Sequence, residues 1–448
     1  KKHFQRLWFP EPGSGGDIPT RSDFGMTKSQ FDEWMGEEFW REVVDRVARE
    51  IPDTLLLAEA FWLMESYFVR SLGMHRVYNS AFMNLLRDED NAKYRQLLKN
   101  TLEFDPEILK RYVNFMNNPD ERTAVEQFGK GDKYFGICTL MATLPGLPML
   151  GHGQVEGFSE KYGMEYRKAY WNETADPALV ERHEREIFPL LHRRAIFAGV
   201  ENFLLFDFYT ESGEVNEDVY AYTNGMGDSR ALVIYHNRFA SSRGWLHTSA
   251  AFSIKKPEGR TLVQKTIADG LNLKPAADRF VLFRDLVTGL NYIRSSKSIA
   301  EKGLFFDLAA YQAHVWVDFH EITDDPDESY RKLHDSLEGR GVNDIQAARQ
   351  ELLLQPVLSP FRQIANPGFF QGFLQSAPSG VCSCSSLPPE LLDETAGRIK
   401  RLLDGACWFT GLSLDYPRIV DNALAGLELA LALPALESFF PLPPGKIY

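Results

Sequence analysis

Cysteine is scarce in this chain. There are four in 448 residues, at positions 138, 382, 384 and 407, too few at this length to make a disulfide framework. Cys382-Ser-Cys384 is too tight for easy chelation and has no His or Cys partner nearby, which argues against zinc, and no metal or other cofactor is expected. Reduced thiols make a cytoplasmic setting the default expectation. Positive charge is also in short supply: 49 Lys and Arg face 62 Asp and Glu, a formal net charge of -13. With no basic block in any segment, nucleic acid is excluded as a partner. Long apolar runs are missing too. The most apolar stretch, Ala423 to Phe440, contains Glu428, Pro434 and Glu437, which speaks against a membrane span.

What is present suffices for ordinary globular cores, since 44% of the residues are hydrophobic and 13% aromatic. The length allows two or three domains. The most informative stretch is Thr54-Leu-Leu-Leu-Ala-Glu59-Ala-Phe-Trp62, an apolar run ending in a carboxylate. Behind Pro52-Asp53 it reads as a strand buried on both faces, with Glu59 at its C-terminal end. Val113-Asn-Phe-Met-Asn-Asn-Pro-Asp120 repeats the pattern. Taken singly, each acid has an ordinary reading as a residue reaching water or capping the next helix.

Lys1-Lys2-His3-Phe4 begins without Met, in the middle of a helical word, and leads to the expectation that the chain is a fragment. Trp8 to Met26 is dense in turn formers and reads as a loop. Thr27 to Glu50 has helical spacing, with Phe39, Trp40, Val43, Val44 and Val47 on one face. A short helix over Trp62 to Leu72, a strand over His75 to Ser80 and helix over Leu86 to Leu109 come next. Then follow a strand over Tyr112 to Asn118, a helix over Asp132 to Leu144, a strand over Leu147 to Gly151 and a helix over Phe188 to Phe197. Such alternation implies parallel strands joined by right-handed crossovers, here four units.

Past Asn202 the texture changes to short alternating runs at Val219–Thr223, Ala231–His236, Phe280–Arg284, Leu304–Leu308 and His314–Phe319, the signature of an antiparallel sheet domain. From Asp327 helical spacing returns, with a break at Gly339-Arg340-Gly341, a linker through Cys382 to Pro389, and packed helices over Leu391–Leu403 and Ala423–Leu433. The expected domains are therefore 1–200, 201–322 and 323–448.

Three segments together resemble the α-amylase superfamily, glycoside hydrolase family thirteen. Ala58-Glu59-Ala60-Phe61 is similar to its fifth-strand motif, and Phe115-Met-Asn-Asn-Pro-Asp120 to its seventh-strand motif, usually Phe-x-x-Asn-His-Asp. Leu144 to Gln154 is similar to the segment through its eighth strand. The resemblance covers about residues 1 to 200. It implies an α/β fold comprising the second half of a (β/α)8 TIM-type barrel, then an antiparallel β-sandwich domain, with the α-helical C-terminal region lying beyond the match.

Glu59 is implied as general acid/base and Asp120 as the third carboxylate, binding hydroxyls of the distorted sugar. Lys2, His3, Trp62, Tyr78 and Asn118 are implied as substrate-binding residues. The acid needs a raised pKa, for which Phe61 and Trp62 are the expected source of desolvation. The family's nucleophile, an Asp ending the fourth strand, has no counterpart here; Asp17 and Asp23 are loop acids. Pro119 stands where the family usually has His, and removes a side-chain donor. Three readings follow: a retaining glycoside hydrolase of α-glucans, a maltosyl- or glucosyl-transferase of the same superfamily, and a non-catalytic glucan-binding or scaffolding protein. In each the partner is an oligo- or polysaccharide. Many relatives bind calcium, but no ligand for it can be named in this chain.

Overall fold

The computed structural model describes residues 27–59, 65–161, 167–257, 259–376 and 387–436. They fall into two compact units that meet between Thr323 and Asp324.

The first unit opens with two helices where one continuous helical stretch was expected. Lys28–Trp34, capped by Thr27 and Gln30, stops before Gly36, and Phe39–Glu50 follows. Val44 and Val47 are buried, while Phe39 and Trp40 remain exposed. Four short strands then form a parallel sheet in chain order: β1 (Leu57–Ala58), β2 (Arg76–Tyr78), β3 (Tyr112–Phe115) and β4 (Leu147–Met149). The helices between them include Glu65–Arg70, Ser80–Arg87, Asn91–Phe104 and Asp132–Thr143.

One expectation for this region is corrected. The Thr54 to Ala58 run is not buried on both faces: Ala58 is buried, but Leu55 is 55% and Leu57 41% exposed. Among the described residues β1 ends the sheet and is paired only with β2, and its alternate side chains lack a covering layer. Leu147 on β4, at the other edge, is likewise 43% exposed.

Beyond a broken helical segment spanning 177–198, in which His183–Ile187 forms a π-helical turn, ten strands follow. They are β5 (Leu204–Thr210), β6 (Val219–Met226), β7 (Ser229–His236), β8 (Ser242–Ser249), β9 (Phe252–Lys256), β10 (Gly259–Val263), β11 (Arg279–Asp285), β12 (Asn291–Ser295), β13 (Leu304–Leu308) and β14 (Ala313–Thr323). β9 and β10 form a separate hairpin. The other eight make one antiparallel sheet in the order β12-β11-β14-β7-β6-β5-β8-β13. β6 and β7 turn over in two residues, Gly227-Asp228, with Gly227 at φ 58°, the left-handed conformation that tight hairpins require.

The expected two-sheet sandwich is thus a single hydrogen-bonded sheet that curls. Its register slips between Leu282 and Arg284 opposite β14, where Asp318 takes φ 59°, and again between Phe206 and Phe208 opposite β8. Bulges of this kind bend and coil a strand pair. Residues from both ends of the sheet, among them Phe306, Leu246, Phe283 and Trp316, therefore share one core.

The opposite face carries Tyr220, Tyr222, Val233, Tyr235, Val315 and Val317, and packs on the helices of the α/β part. β6 alternates strictly: Val219 and Ala221 enter one core, Tyr220 and Tyr222 the other. The approach is close at Gly136, where an added Cβ would lie 1.9 Å from the Tyr235 ring. Buried Arg95, on the helix Asn91–Phe104, ties the two parts together. It donates to the Val219 carbonyl at 2.7 Å, to Glu217 at 2.5 Å and to Asp207.

The second unit is helical, with Ser329–Leu337, Ile345–Leu353, Gln355–Ile364, Pro367–Ser376, Pro389–Thr410 and Tyr416–Leu436. The expected break appears as left-handed Glu338 and Gly339, at φ 48° and 85°. Gly405 lets Pro389–Thr410 cross Gln355–Ile364, since a Cβ there would lie 2.1 Å from the Pro356 carbonyl oxygen. Among the described residues no helix is long and apolar enough to cross a membrane.

Candidate active site

Glu59 follows directly on β1. The parallel register sets Ala58 beside Val77, and so brings Glu59 level with Tyr78, the last residue of β2. Tyr78 pairs in turn with Val113 of β3, and its ring meets Phe115 edge-on at 5.5 Å. Asp120 lies in the turn that leaves β3. The half-buried Tyr78 phenol is pushed above its ordinary pKa, first by burial and then by the negative charges of Glu59 and of Asp120. One hydroxyl thus lies within electrostatic reach of both acids, which come from different strand ends and are both exposed. It stays protonated at neutral pH and can donate a hydrogen bond.

The turn that carries Asp120 is built by Asn118. Its carboxamide oxygen accepts the backbone N–H groups of Asp120 and Glu121, each at 3.0 Å. Asn and Asp side chains commonly fold the backbone after them in this way. Lys161, from the segment after β4, donates to the Asp120 carbonyl at 2.6 Å. Asn117 is buried beneath, its amide lying against Gly151 so closely that a Cβ there would sit 2.3 Å from Oδ1. That oxygen has no hydrogen-bond partner among the described residues.

Gln154 closes the turn after β4, accepting the Gly151 N–H at 3.0 Å. Its carbonyl is held by the Tyr134 hydroxyl at 2.8 Å, which also lies 3.2 Å from His183 Nε2. His183 is buried, and burial lowers its pKa, so it is a neutral structural ring. Buried Cys138 has its thiol pushed up to about 12 by burial, so it is no thiolate nucleophile.

Of the residues singled out from the sequence, Glu59, Tyr78, Asn118 and Asp120 come to the same end of the parallel sheet, and Asn118 acts there through the Asp120 backbone. Lys2, His3 and Trp62, with Phe61, lie outside the described residues. Sequence reasoning missed Asn117, Gln154 and Lys161. The signal for the first was Gly151, whose missing side chain makes room for Asn117; Gln154 and Lys161 left none. A cavity of about 400 Å³ lined by Arg70, Lys93, Gln96, Phe104 and Tyr112 contains neither carboxylate. No group of three or more His, Cys, Asp or Glu suited to a metal ion occurs among the described residues.

No family model and no curated protein matches the chain. Solved structures similar to it include the following three. An α-amylase of Anoxybacillus is 14% identical with a TM-score of 0.41, over 62% of this chain and 55% of that one. The α-amylase of Geobacillus thermoleovorans, solved with acarbose, is 14% identical with a TM-score of 0.43, over 64% and 57%. The debranching enzyme of Nostoc punctiforme is 14% identical with a TM-score of 0.44, over 64% and 56%. This chain therefore spans a little over half the length of each.

Proposed function

We propose that residues 1–200 are the second half of a (β/α)8 catalytic barrel, followed by a sheet domain over 201–322 and a helical extension over 323–448, and that the site acts on α-glucosidic bonds of α-glucans. The observation that carries this reading is the placement of two carboxylates, Glu59 after β1 and Asp120 after β3, at the same end of the parallel sheet with Tyr78 ending the strand between them. Cleavage of a glycosidic bond builds positive charge on the sugar, and carboxylates on either side of the bond supply a proton and stabilise that charge. Glu59 is the general acid, giving its proton to the leaving oxygen and later taking one from the incoming hydroxyl. Asp120, held by Asn118 and Lys161, grips hydroxyls of the distorted ring. Tyr78 ends β2, the strand between theirs. The attacking carboxylate is assigned to no residue of the 448.

Transfer to a sugar acceptor is the second reading, and Pro119 favours it. At the position beside Asp120 it offers neither a side-chain donor nor an N–H, which alters how the sugar next to the cleavage point is held.

The test is made with maltooligosaccharides. Glu59→Gln keeps the shape of the acid without its proton, and should lower turnover by about 10²–10⁴-fold while leaving glucan binding nearly unchanged. Asp120→Asn should lower it by roughly 10²–10³-fold. Glu59→Gln activity within twofold of the parent ends the assignment of the acid, and binding without turnover in the parent makes the protein a glucan binder. Products formed with and without an added acceptor sugar separate hydrolysis from transfer.

A further inference from the structure

The segment after β4 carries two exposed neighbouring aromatics, Tyr170 at 73% and Trp171 at 59% exposure. Rings this open on a loop are usually free to move, but here the backbone beneath them is gripped. The Glu160 carboxylate accepts the Tyr170 N–H at 2.7 Å with one oxygen and the Trp171 N–H at 2.8 Å with the other. The Glu173 carboxylate in turn accepts the N–H groups of Ser159 and Glu160, at 2.7 and 2.9 Å. Four charge-assisted hydrogen bonds of this length clamp both flanks of the aromatic pair. The clamp is also tied to the catalytic turn, because Lys161, next to Glu160, holds the Asp120 carbonyl at 2.6 Å.

A Trp kept in water on a backbone held this firmly gains little for folding from its ring. Its apolar face costs solvation, and the clamp costs loop entropy. Both costs are offset if the ring meets a ligand, since ordering completed in the free protein need not be repeated on binding. Aromatic rings that present an apolar face and a polar edge suit a partner that is apolar on one face and hydroxylated around its rim. A pyranose ring has that form.

We propose that Trp171, with Tyr170 beside it, is a sugar-stacking platform that holds a glucose unit of the glucan chain on the rim next to Asp120. It rests on the glucan reading above and adds to it a second place of contact, away from the bond that is cleaved.

The experiment measures maltoheptaose binding to the 448-residue chain by calorimetry, together with the change in tryptophan fluorescence. Trp171→Ala should weaken binding about tenfold and remove the fluorescence change, the effect of one lost aromatic contact. Trp171→Phe, which keeps a ring, should stay within about threefold of the parent. Binding that Trp171→Ala leaves unchanged, or that both variants weaken equally, overturns the platform while leaving the glucan reading standing. No binding by the parent overturns the glucan reading and the platform with it. A self-association that Trp171→Ala abolishes, with sugar binding intact, makes the pair a contact between copies instead and also overturns the proposal.

Discussion

Two backbone N–H groups converge on the Asn118 carboxamide oxygen, and this gives the residue a structural use. A side chain expected to meet substrate also fixes, through its oxygen, the turn from which Asp120 projects. Asn118→Ala should remove both hydrogen bonds and cost about 1–2 kcal/mol of stability. Turnover should fall with it, mainly in kcat, because the carboxylate is displaced rather than lost. Asn118→Asp, which keeps the acceptor, should recover most of the stability. Parallel denaturation and kinetic measurements check this, and unchanged kcat in Asn118→Ala removes the positioning role. The motif Phe115 to Asp120 was legible in the sequence, but the use of Asn118 was not. Its amide serves equally well as a turn acceptor or as a ligand donor, and only the backbone path decides between them.

At the scale of elements, the parallel strand and helix succession followed from local pattern, because apolar runs between turn formers are a property of short segments. Boundaries came out shorter than expected: Thr54 to Ala58 retains two paired residues and Tyr112 to Asn118 retains four. A strand lasts only while a neighbour pairs with it, and that depends on residues far along the chain. β5, β8, β9, β10 and β12 were missed for a related reason. β8, for instance, has alternate buried and exposed residues, but they include Ser242, Gly244 and Ser249 on the buried side, so its hydrophobic period is weak.

Arg95 is the sharpest case of an element held from a distance. A fully buried guanidinium on the helix Asn91–Phe104 meets Asp207 and Glu217, more than a hundred residues away. Arg95→Met keeps the length but leaves the Phe206 and Val219 carbonyls and two acids without their donor. Breaking a buried pair on one side costs about 3–5 kcal/mol. Lys99, 2.8 Å from Asp207, remains to offset part of it, so the lower figure is expected. It would be read as a drop of several degrees in Tm, with secondary structure retained below the transition. A Tm within one degree of the parent would mean that the pair stabilises nothing.

For the molecule as a whole, the cores are rich in tyrosine. Tyr94, Tyr134, Tyr220, Tyr222 and Tyr235 are buried, and burial pushes each phenol above its ordinary value. Tyr311 is pushed up to about 12 by burial and by its hydrogen bond to Glu89. In the unfolded chain tyrosines ionise near about pH 10. The folded state therefore keeps its phenolic protons longer than the unfolded one. Stability is full below about pH 10 and is lost as pH climbs through the raised native values. The first unit should unfold cooperatively in that window, with phenolate absorbance from these tyrosines rising together with loss of far-ultraviolet dichroism. Complete ionisation ahead of any loss of dichroism would contradict the burial described here.

The sequence by itself determined the order of the elements and put Glu59 and Asp120 where strands end, since both follow from apolar runs and turn residues within a few positions of each other. It also determined the alternation of β6, with Val219 and Ala221 facing one way and Tyr220 and Tyr222 the other. The tertiary structure decided the rest. The register of β1 against β2 brings Glu59 level with Tyr78, and a bulge at Asp318 curls one sheet where two were expected. Lys161 reaches Asp120 across forty-one residues of chain. Strand register, sheet curvature and the choice of a hydrogen-bond partner are each settled by atoms that only the folded chain brings together, and no local periodicity encodes them.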